Sequence, residues 1–67
     1  MTIGYSAHAA ERMRERHISK REVKEALRLG LKAFARDGNR MCVYKYLVVI
    51  YEIKGLAKMK VITTYRR

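Results

Sequence analysis

Three residues near the start of the chain have the types and the spacing for chemistry on phosphate groups. His8, Arg12 and Arg16 stand at positions i, i+4 and i+8, so on a helix they drift only about 80° around its axis. Histidine transfers protons near neutral pH, and the arginine guanidinium offers a planar fork to phosphate oxygens. These residue types in this pattern suit metal-independent cleavage of RNA by attack of its own 2′-hydroxyl.

Hydroxyl and carboxylate groups elsewhere in the chain would complete such a site. Thr63 or Tyr65 would orient the phosphate or donate a proton. Glu11 or Glu15 is an alternative base, because a carboxylate flanked by arginines remains ionised. The same segment also has the pattern of an ordinary solvated helix with i,i+4 ion pairs. The spacing alone leaves both interpretations open.

Other residues with reactive or stacking side chains are better explained by structure. His17 falls next to a helix end and is predicted to be a cap or a partly buried residue. Cys42 is predicted to pack within a strand. The tyrosines Tyr44, Tyr46 and Tyr51 either pack in a sheet or stack RNA bases.

Two helices and a set of strands must position these residues. Ser6 is a plausible N-cap for a first helix that runs to about residue 16. Ser19 and Glu22 form a capping box for a second helix over about 20–29. Gly30 is predicted to end that helix in a left-handed conformation.

After the second helix the hydrophobic period changes from helical to alternating. The predicted strands are 31–36, 40–45, 47–53 and 58–66, with turns at 37–39 and 54–57. Lys45-Tyr46 forms either a tight turn or a bulge in one long strand. The fold class predicted for the single domain 1–67 is α+β, with two N-terminal helices packed on one face of a three- to four-stranded antiparallel sheet.

Alternation along the last strand divides its residues between two faces. Thr63 and Tyr65 are predicted to point toward the helices, with Met59 and Val61. The opposite set is predicted to include Lys58, Lys60, Ile62, Thr64 and Arg66. Its basic members form either a phosphate track or a solvated edge that discourages aggregation.

The composition limits the possible classes of protein. Sixteen Lys and Arg against six Asp and Glu give a net charge of +10 in 67 residues, which favours a polyanion or an acidic protein as partner. No apolar run approaches the roughly 20 residues of a membrane span, and one cysteine is typical of a reducing cytoplasm. We expect no metal and no cofactor. Asn, Gln and Cys are scarce, and Lys, Arg and Glu are abundant, which favours a thermophilic source.

The order of the motifs adds a family resemblance. The segment YSAHAAERMRERHIS, the helix that follows it and the closing VITTYRR resemble domain-of-unknown-function family 4258. That family is grouped with small RelE- and barnase-like toxin ribonucleases, so the resemblance implies metal-independent RNA cleavage, often by a toxin that an antitoxin protein neutralises. By position, its histidine falls on His8, its helix arginines on Arg12 and Arg16, and its C-terminal pair on Thr63 and Tyr65, with Arg66 following.

Three hypotheses about function follow. In the first, the protein is an endoribonuclease with His8, Arg12, Thr63 and Tyr65 as candidate catalytic residues. Arg16, Lys58, Lys60 and Arg66 would bind RNA. In the second, it is a non-catalytic RNA- or DNA-binding module. In the third, it is an interaction protein that docks on an acidic partner such as an antitoxin, or a homodimer joined through a strand edge.

Overall fold

The computed structural model describes residues 2–67 and contains two helices and five strands. In chain order the elements are β1 (Thr2–Tyr5), α1 (Ala7–Arg16), α2 (Lys20–Leu29), β2 (Leu31–Phe34), β3 (Arg40–Tyr44), β4 (Leu47–Gly55) and β5 (Lys58–Arg66), with a short 3₁₀ turn at Arg36–Gly38 between β2 and β3.

Both helices begin and end where their capping residues predict. The Ala9 N–H donates to Ser6 Oγ at the start of α1, and His17 ends that helix in the left-handed region with φ 56°. Ser19 and Glu22 form the predicted reciprocal capping box of α2. Local side-chain chemistry therefore sets the bounds of the helical hairpin.

Gly30 ends α2 for a different reason from the one predicted. Its φ is −75° and its ψ 166°, which is extended backbone rather than the left-handed conformation. A Cβ at this position would lie 2.5 Å from Cys42 Sγ and 2.6 Å from the Ala26 carbonyl oxygen. Glycine is needed here because the chain passes so close to β3.

The sheet differs from the predicted three- to four-stranded antiparallel arrangement. It has five strands in the order β1-β5-β4-β3-β2, and β1 pairs with β5 in parallel, so the sheet is mixed. The strand missed by the sequence is TIGY, whose four residues are too few to show an alternating period. Its partner lies more than fifty residues away along the chain. The α+β class itself is correct.

A β-bulge in β5 reverses which side chains face the helices. Tyr51 pairs with Val61 and Ile50 pairs with Thr63, so Ile62 is an extra residue. Because directly opposed residues share a face, everything after Ile62 is inverted relative to simple alternation. Thr63 and Tyr65 therefore point away from the helices, which corrects the prediction. Thr64 and Arg66 point toward them and leave the face that carries Lys58 and Lys60.

The core lies between the two helices and one face of the sheet. Its buried members are Ala9, Met13, Ile18, Val23, Ala26, Leu27, Cys42, Leu47, Val49, Tyr51 and Val61. Thr64 is fully buried beside them, and its hydroxyl donates to the Val48 carbonyl oxygen at 2.8 Å. The hydrogen bond offsets the cost of burying that polar group.

The other face of the sheet, called the open face below, has no helix over it within residues 2–67. Two rows of cross-strand neighbours form its centre. The first row is Leu31, Val43, Val48 and Tyr65, and the second is Ala33, Met41, Ile50 and Thr63.

Lys45 and Tyr46 form a tight turn rather than a bulge in one long strand. Tyr44 pairs with Leu47 across it, and Lys45 has φ 55°. The backbone N–H of Arg67 donates to the Tyr46 carbonyl oxygen at 2.7 Å. No helix in the described residues is long and apolar enough to cross a membrane.

Candidate functional site

Helix α1 is fixed to β5 at both of its ends. At its start, Ser6 Oγ donates to the Ile62 carbonyl oxygen at 2.8 Å, and the Ser6 N–H donates to the Val61 carbonyl oxygen at 2.9 Å. At its end, the Arg66 guanidinium donates to the carbonyl oxygens of Arg16 and His17 at 3.4 and 3.0 Å. The helix that carries the candidate residues is thus held at two points on one strand.

His8, Arg12 and Arg16 lie on one flank of this helix. Ala9 and Met13 face the core, and the helical period puts the three candidates to one side of them. His8 and Arg16 are exposed, and Arg12 is half-exposed. Arg12 Nη1 lies 3.2 Å from Glu15 Oε1 in an i,i+3 ion pair. The flank is solvent-accessible and carries both signs of charge, because the helical period also places Glu11 and Glu15 on it.

The structure separates Thr63 and Tyr65 from that flank. Their side chains project on the open face, opposite Ile50 and Val48, while α1 packs on the other face. Four cavities on the molecule are lined by other residues and by neither hydroxyl. His8 and Arg12 line none of these four either. The candidate catalytic residues therefore lie on two different sides of the sheet.

Arg66 has a structural role in this site, because it joins β5 to both helices. Besides the two carbonyl oxygens at the end of α1, its guanidinium lies 3.3 Å from Glu22 Oε2. The hydrogen bond from the Ser19 N–H lowers the pKa of Glu22, and the charge of Arg66 adds to this lowering. Arg66 thereby joins the end of β5 to the start of α2, so most of its donors are used inside the protein.

Lys58 and Lys60 are exposed but lie apart from the candidate flank. They precede the bulge, and Lys60 stands opposite Glu52 on the same side of the sheet as the open face. Glu52 itself pairs with Lys54 at 3.0 Å. A basic stripe that joins these lysines to Arg66 on one face does not form.

Of the remaining sequence candidates, all but Tyr46 have the structural roles that were favoured for them. His17 is the exposed left-handed cap of α1. Cys42 is fully buried, its Sγ donates to the Ala26 carbonyl oxygen at 2.6 Å, and burial raises its pKa. Tyr44 and Tyr51 pack toward the helices, whereas Tyr46 is exposed in the turn.

Sequence reasoning missed Tyr5 as a chemically distinct group. Its hydroxyl is buried without a hydrogen-bond partner, and burial raises its pKa, so the phenol stays neutral. The Lys20 ammonium lies 5.4 Å from the centre of its ring, in the range of a cation–π contact. Tyr5, Lys20 and Arg14 line a cavity between the helices. The only signal in the sequence was an aromatic residue just before the first N-cap.

The charge of the molecule is largely uncompensated. Among residues 2–67, three of the sixteen Lys and Arg side chains pair with a carboxylate within 4.0 Å, which leaves thirteen without such a partner. Seven basic residues lie on the two helices between Arg12 and Arg28. Within the same described range no group of three or more His, Cys, Asp or Glu side chains is placed to hold a metal ion.

These features define a small basic α+β domain, in which a helical hairpin covers one face of a five-stranded mixed sheet and leaves the other face open. The chain belongs to the family described as "Domain of unknown function (DUF4258)", whose family model matches residues 5–66. No curated protein and no solved structure matches the chain significantly. The grouping with RelE- and barnase-like toxin ribonucleases stays a prediction.

Proposed function

We propose that this protein binds RNA on the exposed flank of α1 and cleaves it there without a metal ion. The observation that carries the proposal is the alignment of His8, Arg12 and Arg16 along a helix fixed at both ends to β5. A rigid support of this kind keeps a proton-transfer group and its phosphate-binding partners at constant spacing. The net charge of +10 supplies the long-range attraction for a polyanion.

The chemistry assigns one role to each type of side chain. The neutral imidazole of His8 takes the proton of a ribose 2′-hydroxyl, and that oxygen attacks the adjacent phosphorus. The bond from phosphorus to the 5′-oxygen breaks, and the leaving oxygen takes a proton from water or from the imidazolium. Arg12 and Arg16 donate hydrogen bonds to the phosphoryl oxygens as negative charge builds on them. The products are a 2′,3′-cyclic phosphate and a free 5′-hydroxyl.

Three residues that the sequence suggested for catalysis or RNA binding have other roles in this proposal. Thr63 and Tyr65 lie on the opposite face and are left out of the proton transfers. Arg66 acts as a positioning residue through the end of α1. The family resemblance supports a cytoplasmic toxin with an acidic antitoxin as its protein partner.

The test is incubation of the protein in EDTA with a mixed-sequence single-stranded RNA. We expect His8→Ala and Arg12→Ala to lower the cleavage rate by about 10²-fold or more, the usual contribution of a positioned acid–base group. The matched control is His17→Asn, which changes the other histidine and suits its left-handed backbone. Gel analysis of the product ends measures the outcome. Wild-type rates in the His8 variant would remove His8 from the mechanism.

A second candidate function is RNA binding without cleavage. The observation that favours it is the lack of convergence between His8 and the two hydroxyls of β5. In this case the wild-type protein leaves RNA intact, while His8→Ala and the wild-type protein bind with equal affinity. Fluorescence anisotropy with a labelled RNA distinguishes the two candidates when it is combined with the cleavage assay.

A further inference from the structure

The open face has a composition that water-facing sheets avoid. Antiparallel sheets with one wet face normally alternate apolar residues inside with polar residues outside. Here the eight residues of the two rows include no charged side chain, and seven of them carry large or small apolar groups, while Lys60 and Glu52 lie beyond them on the same side. Leu31 is 80% exposed and Tyr65 41% exposed, whereas Val48 between them is 3% exposed. Ala33 is also exposed and the other four are half-buried, so the accessible apolar surface lies mainly at Leu31, Ala33 and Tyr65. A contiguous apolar patch of this kind on a small protein marks a surface that another molecule covers.

The dimensions of the patch fit one helix. Each row crosses four strands, and three steps of about 4.8 Å make a row about 14 Å long. The two rows lie two residues apart along each strand, a separation of about 7 Å. A helix laid across the strands would span that length with about ten residues and could place one apolar side on both rows.

The charges around the open face indicate which kind of molecule would supply this helix. Lys58 and Lys60 stand on this side of the sheet beyond one end of the two rows. Arg67 follows β5 at the other end, where its backbone N–H donates to the Tyr46 carbonyl oxygen. Glu52 stands opposite Lys60 on the same side and pairs with Lys54 at 3.0 Å. A second copy of the chain would bring another +10 and the same cationic border onto the face, which opposes association. RNA lacks the aliphatic surface needed to cover leucine, valine, isoleucine and methionine.

We propose that the open face is the docking site for an amphipathic helix of an acidic partner protein. Apolar residues of the helix cover the two rows, and its carboxylates meet Lys58, Lys60 and Arg67. This site lies on the opposite side of the sheet from α1, and the proposal does not depend on RNA cleavage. A protein helix and an RNA would then occupy different faces of the same molecule.

The test uses a synthetic peptide of about 14 residues, built from leucine, alanine and glutamate with all leucines on one helical side. We expect it to bind the wild-type protein, as measured by fluorescence anisotropy. Leu31→Lys and Ala33→Lys, both at exposed positions of an edge strand, should weaken binding. For Leu31→Lys the loss should be about tenfold or more. A peptide of the same composition with its leucines distributed around the helix should bind weakly to all variants.

The control variant is Leu56→Lys, which makes the same change at a fully exposed leucine outside the open face. Each substitution adds one positive charge, so a purely electrostatic complex would tighten in all three variants. That result would overturn the proposal, as would failure of the patterned peptide to bind the wild-type protein.

Two further measurements identify the other possible occupants. Light scattering that shows a wild-type dimer and a Leu31→Lys monomer would assign the open face to a second copy of the chain. NMR titration with RNA should move the signals of His8 and Arg16 and leave those of Val43 and Ile50 in place. Movement of the open-face signals by RNA would assign the site to RNA instead.

Discussion

Gly30 controls how closely α2 approaches the sheet. A methyl group there would lie 2.5 Å from Cys42 Sγ, 2.6 Å from the Ala26 carbonyl oxygen and 2.8 Å from the Val43 carbonyl oxygen. Two of these three atoms belong to the backbone and cannot rotate away. We expect Gly30→Ala to lower the free energy of unfolding by about 1–3 kcal/mol, the usual cost of overpacking. Urea denaturation measures the change.

Gly55→Ala is the matched control for that substitution. A Cβ at Gly55 meets nothing within 4 Å, and its backbone is outside the left-handed region. This variant should be neutral or more stable by about 0.4–1 kcal/mol, because alanine restricts the unfolded chain. Equal effects of the two variants would show that backbone freedom, rather than the contact with β3, explains Gly30.

At the scale of the secondary-structure elements, Arg66 holds β5, α1 and α2 together. Replacing it by alanine removes two donors from the last carbonyl oxygens of α1 and one ion pair with Glu22. Because the site is partly exposed, we expect a loss of about 1 kcal/mol in the free energy of unfolding. Arg66→Lys keeps the charge but not the forked geometry. It should therefore lose most of the same stability.

The lysine variant separates a structural role for Arg66 from a role in RNA binding. If Arg66 only positions α1, Arg66→Lys and Arg66→Ala should have similar thermal midpoints, both below that of the wild-type protein. Arg67→Ala, a neighbouring change at the chain end, serves as the control. A lysine variant with wild-type stability and an alanine variant with strongly reduced RNA affinity would instead make Arg66 a direct ligand of RNA.

The same elements show what the sequence could and could not predict. Both helices follow from local capping residues such as Ser6 and Ser19, whose effect does not depend on the rest of the fold. The bulge at Ile62 has no such local signal, because VITTYRR contains no glycine, proline or asparagine. It lies where the pairing of β5 with β1 ends at Val61 and the pairing with β4 continues, so it is a property of the assembled sheet.

The bulge also explains which part of the candidate site was predictable. The flank of His8, Arg12 and Arg16 depends only on the helical period, so it is present in the structure. The placement of Thr63 and Tyr65 near it depended on counting residues along a strand. One inserted residue moves every later side chain to the other face.

At the scale of the whole molecule, the two sides of the sheet carry different surfaces. The helical side has seven basic residues between Arg12 and Arg28, and the open face has an apolar centre with a cationic border. One small sheet therefore presents two different surfaces at once. The proposed RNA site uses the first surface and the proposed protein site uses the second.

This division predicts how salt affects RNA binding. Each phosphate contact on single-stranded RNA contributes about −0.7 to the slope of log affinity against log salt concentration. The double variant Arg12→Gln/Arg16→Gln should therefore make the slope shallower by about 1.4, as measured by anisotropy over a series of salt concentrations. Lys58→Gln/Lys60→Gln removes the same charge from the other side of the sheet, where the lysines precede the bulge, and should leave the slope nearly unchanged. An equal change in both double variants would mean that RNA runs around the edge of β5 and contacts both sides of the sheet. That result would also place RNA beside the border of the open face, where a partner helix would have to compete with it.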